Sequence, residues 1–204
     1  MEHRIPAPGT HLCGLAWDGT TLWHSDAGTA TIYALDPQTG TVRFSLRCPG
    51  VRTDLTWAGE LLVQVIDTPK RLCYLRPTGG VAGFQPVEPP TTVLCGLEAS
   101  GDQLWLGYEV PPTIQLRDLE TLTVQRELPV EGRIAGLTCL PNLVIYADHE
   151  NSLIRSVDAI SGEIVGRLKV SGSPTGLTWD GSRLWYCDYD SHEICAIEPD
   201  GLLR

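Results

Sequence analysis

No stretch of this chain is apolar for long enough to cross a membrane; the longest uncharged runs, such as Leu143 to Ala147, are strand-sized. Basic charge is scarce, with Lys+Arg 15 against Asp+Glu 25 and a formal net charge of −10. A partner held through a phosphate backbone is therefore excluded, and nucleic-acid binding with it. No C-x-x-C pair occurs among the seven cysteines, Cys13, Cys48, Cys73, Cys95, Cys139, Cys187 and Cys195. Their odd number and irregular spacing argue against a disulfide framework and for a reduced compartment. No apolar core segment follows the N-terminal Met-Glu-His-Arg-Ile-Pro, so no secretory signal is read there and a cytoplasmic location is expected. A sustained helical period is also missing throughout.

What the chain does have is turns and self-similarity. Gly 21 and Pro 15 suit many short strands rather than a helical bundle. Gly14-Leu-Ala-Trp-Asp-Gly recurs as Gly176-Leu-Thr-Trp-Asp-Gly, each followed by Leu-Trp at Leu22-Trp23 and Leu184-Trp185. Weaker copies start at Asp54, Gly96 and Gly136, so the repeat starts lie 40, 42, 40 and 40 residues apart. A period near 40 made of short strands denotes four-stranded propeller blades. Asp18-Gly19 and Asp180-Gly181 mark hairpins between the first two strands of a blade. The last repeat stops at Gly201-Leu-Leu-Arg204 without a fourth strand, and residues 2–9 supply one. The sequence thus predicts an all-β fold, one domain over 1–204, in which five blades close through the N-terminal strand and leave no exposed edge at the seam. Trp17, Trp57 and Trp179 share one column and Trp23, Trp105 and Trp185 another, which suits packing between blades. Asp18, Asp36, Asp158 and Asp180 read as turn formers.

The topology sends the Asp-Gly hairpins to one face and the strand starts, with the loops joining second to third strands, to the other. The second face collects the unusual residues. Cys13, Thr53, Cys95, Ala135 and Thr175 should ring the channel there, with His11, Arg52 and Arg133 further out. If Trp17 pairs with Leu22, Cys13 faces Asp26, Thr53 faces Ile66, Cys95 faces Tyr108, Ala135 faces Asp148 and Thr175 faces Asp188. Asp67, Glu109, His149, Glu150, Asp190 and His192 stand at the loop tips. Glu98 breaks a column otherwise filled by Ala16, Thr56, Thr138 and Thr178, so it must be hydrogen-bonded, solvated or raised in pKa. His24 and Tyr186 share a second-strand column and either fill blade interfaces or reach a ligand. Three readings stand for this mouth. One is catalysis, with Cys13 and His11 as thiol and base, Glu98, Asp26 and Tyr108 assisting, and Cys95, Arg52, Arg133, His24, Tyr186 and Asp188 binding substrate. The second is a zinc or copper site from Cys13, Cys95 and His11, although nothing in the sequence requires a metal. The third is two packed thiols under a solvated charged rim.

Four segments resemble the five-bladed glutamine cyclotransferase family. They are Gly14-Leu-Ala-Trp-Asp-Gly-Thr-Thr-Leu-Trp, Asp54-Leu-Thr-Trp-Ala-Gly-Glu-Leu-Leu-Val-Gln-Val, the run from Arg117 to Val130 and the run from Ile154 to Gly166. The resemblance implies a five-bladed propeller that cyclises N-terminal glutamine with acids near the channel mouth. Two positions depart from that pattern: the family's Glu before the first Gly-Leu is Cys13, and its Asn-Glu-Leu-Glu aligns with Ala135-Gly136-Leu137-Thr138. Streptogramin-lyase and gluconolactonase propellers are similar to a lesser degree. Two functional expectations follow. The first is a small-molecule site at the mouth, of an acyl-transfer, cyclisation or lyase-type enzyme. The second is a non-catalytic module that binds a protein or peptide.

Overall fold

Every regular element among the described residues is a β-strand. The computed structural model describes residues 2–66, 71–87 and 93–203. Strand β1 (His3–Pro6) precedes the first blade, which is β2 (Leu12–Trp17), β3 (Leu22–Asp26), β4 (Thr31–Leu35) and β5 (Val42–Arg47). Blade two is β6 (Val51–Ala58), β7 (Leu61–Ile66), β8 (Arg71–Leu75) and β9 (Val81–Pro86). Blade three is β10 (Leu94–Ser100), β11 (Gln103–Tyr108), β12 (Thr113–Asp118) and β13 (Val124–Pro129). Blade four is β14 (Ile134–Leu140), β15 (Leu143–Asp148), β16 (Leu153–Asp158) and β17 (Ile164–Lys169). Blade five holds β18 (Pro174–Trp179), β19 (Leu184–Asp188) and β20 (Glu193–Ile197), and β1 completes it in the order β1-β20-β19-β18. The closing register runs from His3 opposite Ala196 to Pro6 opposite Glu193, antiparallel like every other pairing in the ring. Among the described residues no helix is long and apolar enough to cross a membrane.

Five apolar clusters hold the ring, one at each blade interface. Trp23 and Leu46 of blade one meet Leu55, Leu62 and Leu75 of blade two, and Leu15 and Leu22 meet Trp185 and Ile194 of blade five across the seam. The tryptophan columns therefore belong to blade packing. The turn aspartates do more than turn the chain. Asp18 Oδ1 accepts the N–H groups of Thr20 and Thr21, while its Oδ2 accepts the Trp23 indole N–H at 2.8 Å. Asp180 treats Ser182, Arg183 and Trp185 the same way. Each carboxylate thereby fixes the hairpin and the rotamer of the aromatic that packs below it.

The expected strand register is corrected at the mouth. Trp17 does pair with Leu22, but Asp26 faces Leu12, and Ile66, Tyr108, Asp148 and Asp188 face Val51, Leu94, Ile134 and Pro174. A β-bulge in each first strand inserts extra residues around the Gly column, so strict alternation fails over that short stretch. In blade one the Ser25 hydroxyl accepts the Gly14 N–H at 3.0 Å.

The bulged glycines bring the inner strands backbone to backbone. A Cβ on Gly14 would lie 2.2 Å from the Leu55 nitrogen, and one on Gly136 2.6 Å from the Gly176 Cα. Blade two places Asp54 in this column. Its Oδ2 accepts N–H groups of Leu97 in blade three and Leu137 in blade four, at 3.0 and 3.1 Å, while Oδ1 accepts the Leu55 N–H. The fully buried carboxyl spans from blade two to blade four and stoppers the channel. Burial, set against those three bonds, pushes its pKa well above the usual carboxylate range.

Candidate functional site

Above the stopper the channel widens into a cavity of about 400 Å³ on the face of the strand starts. Its lower tier is the expected ring of Cys13, Thr53, Cys95, Ala135 and Thr175. Its upper tier comes from a repeat column, the residue after each second strand: Ala27, Glu109, His149 and Tyr189. One backbone bond in each of blades one, three, four and five holds this tier in place. Ala27, Glu109, His149 and Tyr189 donate their N–H groups to the carbonyls of His11, Val93, Arg133 and Ser173, all at 3.0 Å. Asp67, expected at the same level in blade two, lies outside the described residues.

A second column fixes the chain as it approaches each first strand. Asp26, Asp148 and Asp188 are buried below the lining, and their carboxylates accept the N–H groups of His11, Arg133 and Ser173. Asp148 also takes a buried ion pair from Arg155 at 2.8 Å. Burial opposes ionisation of Asp26, but bonds from Thr29 and His11 outweigh it and hold its pKa below the usual value. These carboxylates leave no room for side chains above them: a Cβ on Gly132 would sit 2.2 Å from Asp148 Oδ2. Asp26 and Asp188 are thus placed as clamps beneath the cavity, which differs from the expected position on its wall.

Other expected site residues are also placed away from the lining. Glu98 lies on the hairpin side of the Asp54 stopper, its two oxygens accepting the hydroxyls of Thr56 and Thr138 at 2.7 and 2.9 Å. Burial lifts it to about 7 against those two bonds. Tyr108 is buried in the interface between blades two and three, where Arg117 donates to its hydroxyl at 3.1 Å. His24 is fully buried, its Nδ1 3.6 Å from the Cys187 sulfur, and burial lowers its pKa to about 4. Tyr186 is sealed in the interface between blades four and five, with its hydroxyl 3.3 Å from Glu2. Tyr108 turns into its blade interface while its successor Glu109 emerges at the mouth, whereas His24 and Tyr186 lie deeper in their strands and their successors Ser25 and Cys187 are fully buried.

The lining itself holds His11, Cys13, Arg52, Cys95 and Arg133 as expected, together with Glu109 and His149. Tyr189 was missed by sequence reasoning, although it stands in the same repeat column as Glu109 and His149. Its ring lies edge-on to His11 on one side and His149 on the other, with centroids 5.9 and 6.2 Å apart. Arg133 Nε meets Glu109 at 2.5 Å and its Nη1 meets Glu150 at 3.2 Å, tying the rim of blade three to blade four. The His149 Nδ1 is buried with no hydrogen-bond partner among the described residues.

Both mouth thiols are directed at backbone carbonyls. Cys13 Sγ donates to the backbone carbonyls of His11 and Arg52, each at 3.3 Å, rather than to the imidazole of His11. Burial pushes this thiol up to about 12, so it is neutral near pH 7. Cys95 Sγ points to the Gly107 carbonyl at 3.4 Å. Among the described residues no three His, Cys, Asp or Glu side chains converge as a metal site.

No protein-family model matches the chain, and no curated protein matches it by sequence. Solved structures do match in fold. Glutaminyl cyclase from Myxococcus xanthus is similar with a TM-score of 0.81 at 14% identity, over 96% of this chain and 94% of that one. A streptogramin B lyase is similar with a TM-score of 0.59 at 16% identity, over 98% of this chain and 70% of that one. The WD40 propeller domain of Doa1 is similar with a TM-score of 0.62 at 11% identity, over 91% of this chain and 78% of that one. The chain is a five-bladed β-propeller that resembles glutaminyl cyclase in its architecture. Identities this low establish the fold and leave the activity to the site.

Proposed function

We propose that the protein binds a small polar molecule in the cavity at the channel mouth. The observation that carries this reading is the blind end of the cavity. Asp54 closes the channel below about 400 Å³ of space, so a ligand has a floor as well as walls. That volume falls within the usual range for small-molecule sites. The walls offer a mixed chemistry: the Glu109–Arg133 pair, His11, the Tyr189 ring and the hydroxyls of Thr53 and Thr175.

Acyl-transfer, cyclisation or lyase chemistry on the bound molecule would fall to Glu109, His11 and His149, the acid–base residue types of the lining. Cys13, held neutral, contributes packing. A thermal-shift screen of small metabolites against the native protein and Tyr189→Ala tests the proposal. Compounds should stabilise the native protein and lose their effect in the variant. Equal stabilisation of both by every hit would place the ligand elsewhere and overturn it.

A further inference from the structure

The hairpin column and the tryptophan column part company in blade three. Trp17, Ala99 and Trp179 pair with Leu22, Leu104 and Leu184. The next residues outward, Asp18, Ser100 and Asp180, therefore share one repeat position, and Trp23, Trp105 and Trp185 share another. In blades one and five the aspartate Oδ2 accepts the indole N–H, at 2.8 and 2.7 Å. In blade three Ser100 stands where the aspartate would be. The Trp105 N–H has no hydrogen-bond acceptor among the described residues, although the side chain is only 5% exposed. An indole N–H this deep normally has a partner.

Trp105 and Ser100 line a groove of about 440 Å³ between blades three and four, on the hairpin face and so opposite the mouth. The charge of this groove is one-sided. Arg126 lines it with the amides of Gln103 and Asn142, and no Asp or Glu is among its lining residues, in a chain of net charge −10. Arg126 is held in position by a contact that the ring repeats. It faces Leu116 as His3 faces Ala196, and its Nη1 donates to Ala159 O at 2.6 Å as His3 Nε2 meets Pro37 O at 3.0 Å. Asp158, whose charge reaches Arg126, is engaged by its own turn, where it accepts the N–H groups of Ile160 and Ser161. Leu140 and Ile160 supply an apolar wall.

We propose that this groove binds a small aliphatic carboxylate, which accepts the Trp105 N–H in the role that Asp18 and Asp180 play within their own blades. Arg126 supplies the opposite charge, and a carboxylate held by charged and N–H donors is bound more strongly than a neutral acceptor. The alkyl part lies against Leu140 and Ile160. An amine would meet Arg126 with no lining carboxylate to offset it, and a neutral ligand would leave the guanidinium unmatched.

The test is nitrogen-edited NMR of the native protein titrated with hexanoate, with hexanamide as the uncharged control. Trp105→Phe assigns the Trp105 indole signal. Hexanoate should move that signal saturably, and hexanamide should move it far less. Arg126→Met should weaken the hexanoate response about tenfold, the effect of losing one hydrogen bond to a charged group. Ser100→Asp installs the acceptor that blades one and five use; it should shift the Trp105 signal without ligand and abolish the response to hexanoate. These readouts lie on the hairpin face and do not depend on what the mouth binds. No saturable movement of the Trp105 signal, equal movement with hexanamide, or an unchanged response in both Arg126→Met and Ser100→Asp would each overturn the proposal.

Discussion

Replacing Glu98 by Gln should make the protein more stable at pH 8 while changing it little at pH 5. In the folded chain burial raises the Glu98 pKa from the ordinary 4.5 to about 7, even with the Thr56 and Thr138 hydroxyls donating to it. Between those values the folded state keeps a proton that the unfolded state has released. The stabilising contribution is therefore fully present below about pH 4.5 and is lost as the pH rises through 7. A difference of this size corresponds to roughly 3 kcal/mol. Gln keeps the shape, can accept one threonine hydroxyl through its oxygen and can donate to the other, yet cannot ionise. Thermal unfolding of native protein and Glu98→Gln from pH 4.5 to 8.5 gives the comparison. The curves should diverge with pH until the variant melts roughly 6–12 °C higher at pH 8. Parallel curves would mean that Glu98 ionises normally, and would refute the burial argument.

Three further predictions concern other parts of the ring. Asp54→Ala leaves three buried N–H groups without an acceptor and should cost roughly 3 kcal/mol or more, with Asp54→Asn milder; an unchanged denaturant midpoint for the alanine variant would contradict the stopper. Gly132→Ala, at φ +83° and facing the Asp148 carboxylate, should destabilise by roughly 2–4 kcal/mol. Gly19→Ala, at φ +100° with open space around it, should lose only the strain part, and equal losses in the two variants would remove the clamp from the account. Native Cys13, with its thiol raised to about 12, should react with iodoacetamide at pH 7.5 at least ~100-fold more slowly than in the unfolded chain; comparable rates would revive the thiolate reading.

The blades were legible because their punctuation repeats: Asp18-Gly19 and Asp180-Gly181 turn the same hairpin and hold the same tryptophan column. Closure by β1 followed from the missing fourth strand after Gly201. The mouth was legible in outline, since His11, Cys13, Arg52, Cys95 and Arg133 do line the cavity. What escaped was local geometry. The bulge at each Gly column displaces the pairing, so Asp26 and Asp188 turn beneath the lining and clamp backbone. Asp54 looked like a variant repeat start, because one carboxyl spanning three blades leaves no periodic trace. Tyr189 was hidden for a different reason: its column holds Ala27, Glu109, His149 and Tyr189, residues alike in position and unlike in chemistry.

The account rests on the mouth being a ligand site with a closed floor. Crystals soaked with the compounds that stabilise the native protein test this most directly. The expected result is density in contact with Tyr189 and His149, above an intact Asp54 bridge to Leu97 and Leu137. Density bound only outside the mouth, or passing through the channel past Asp54, would contradict it.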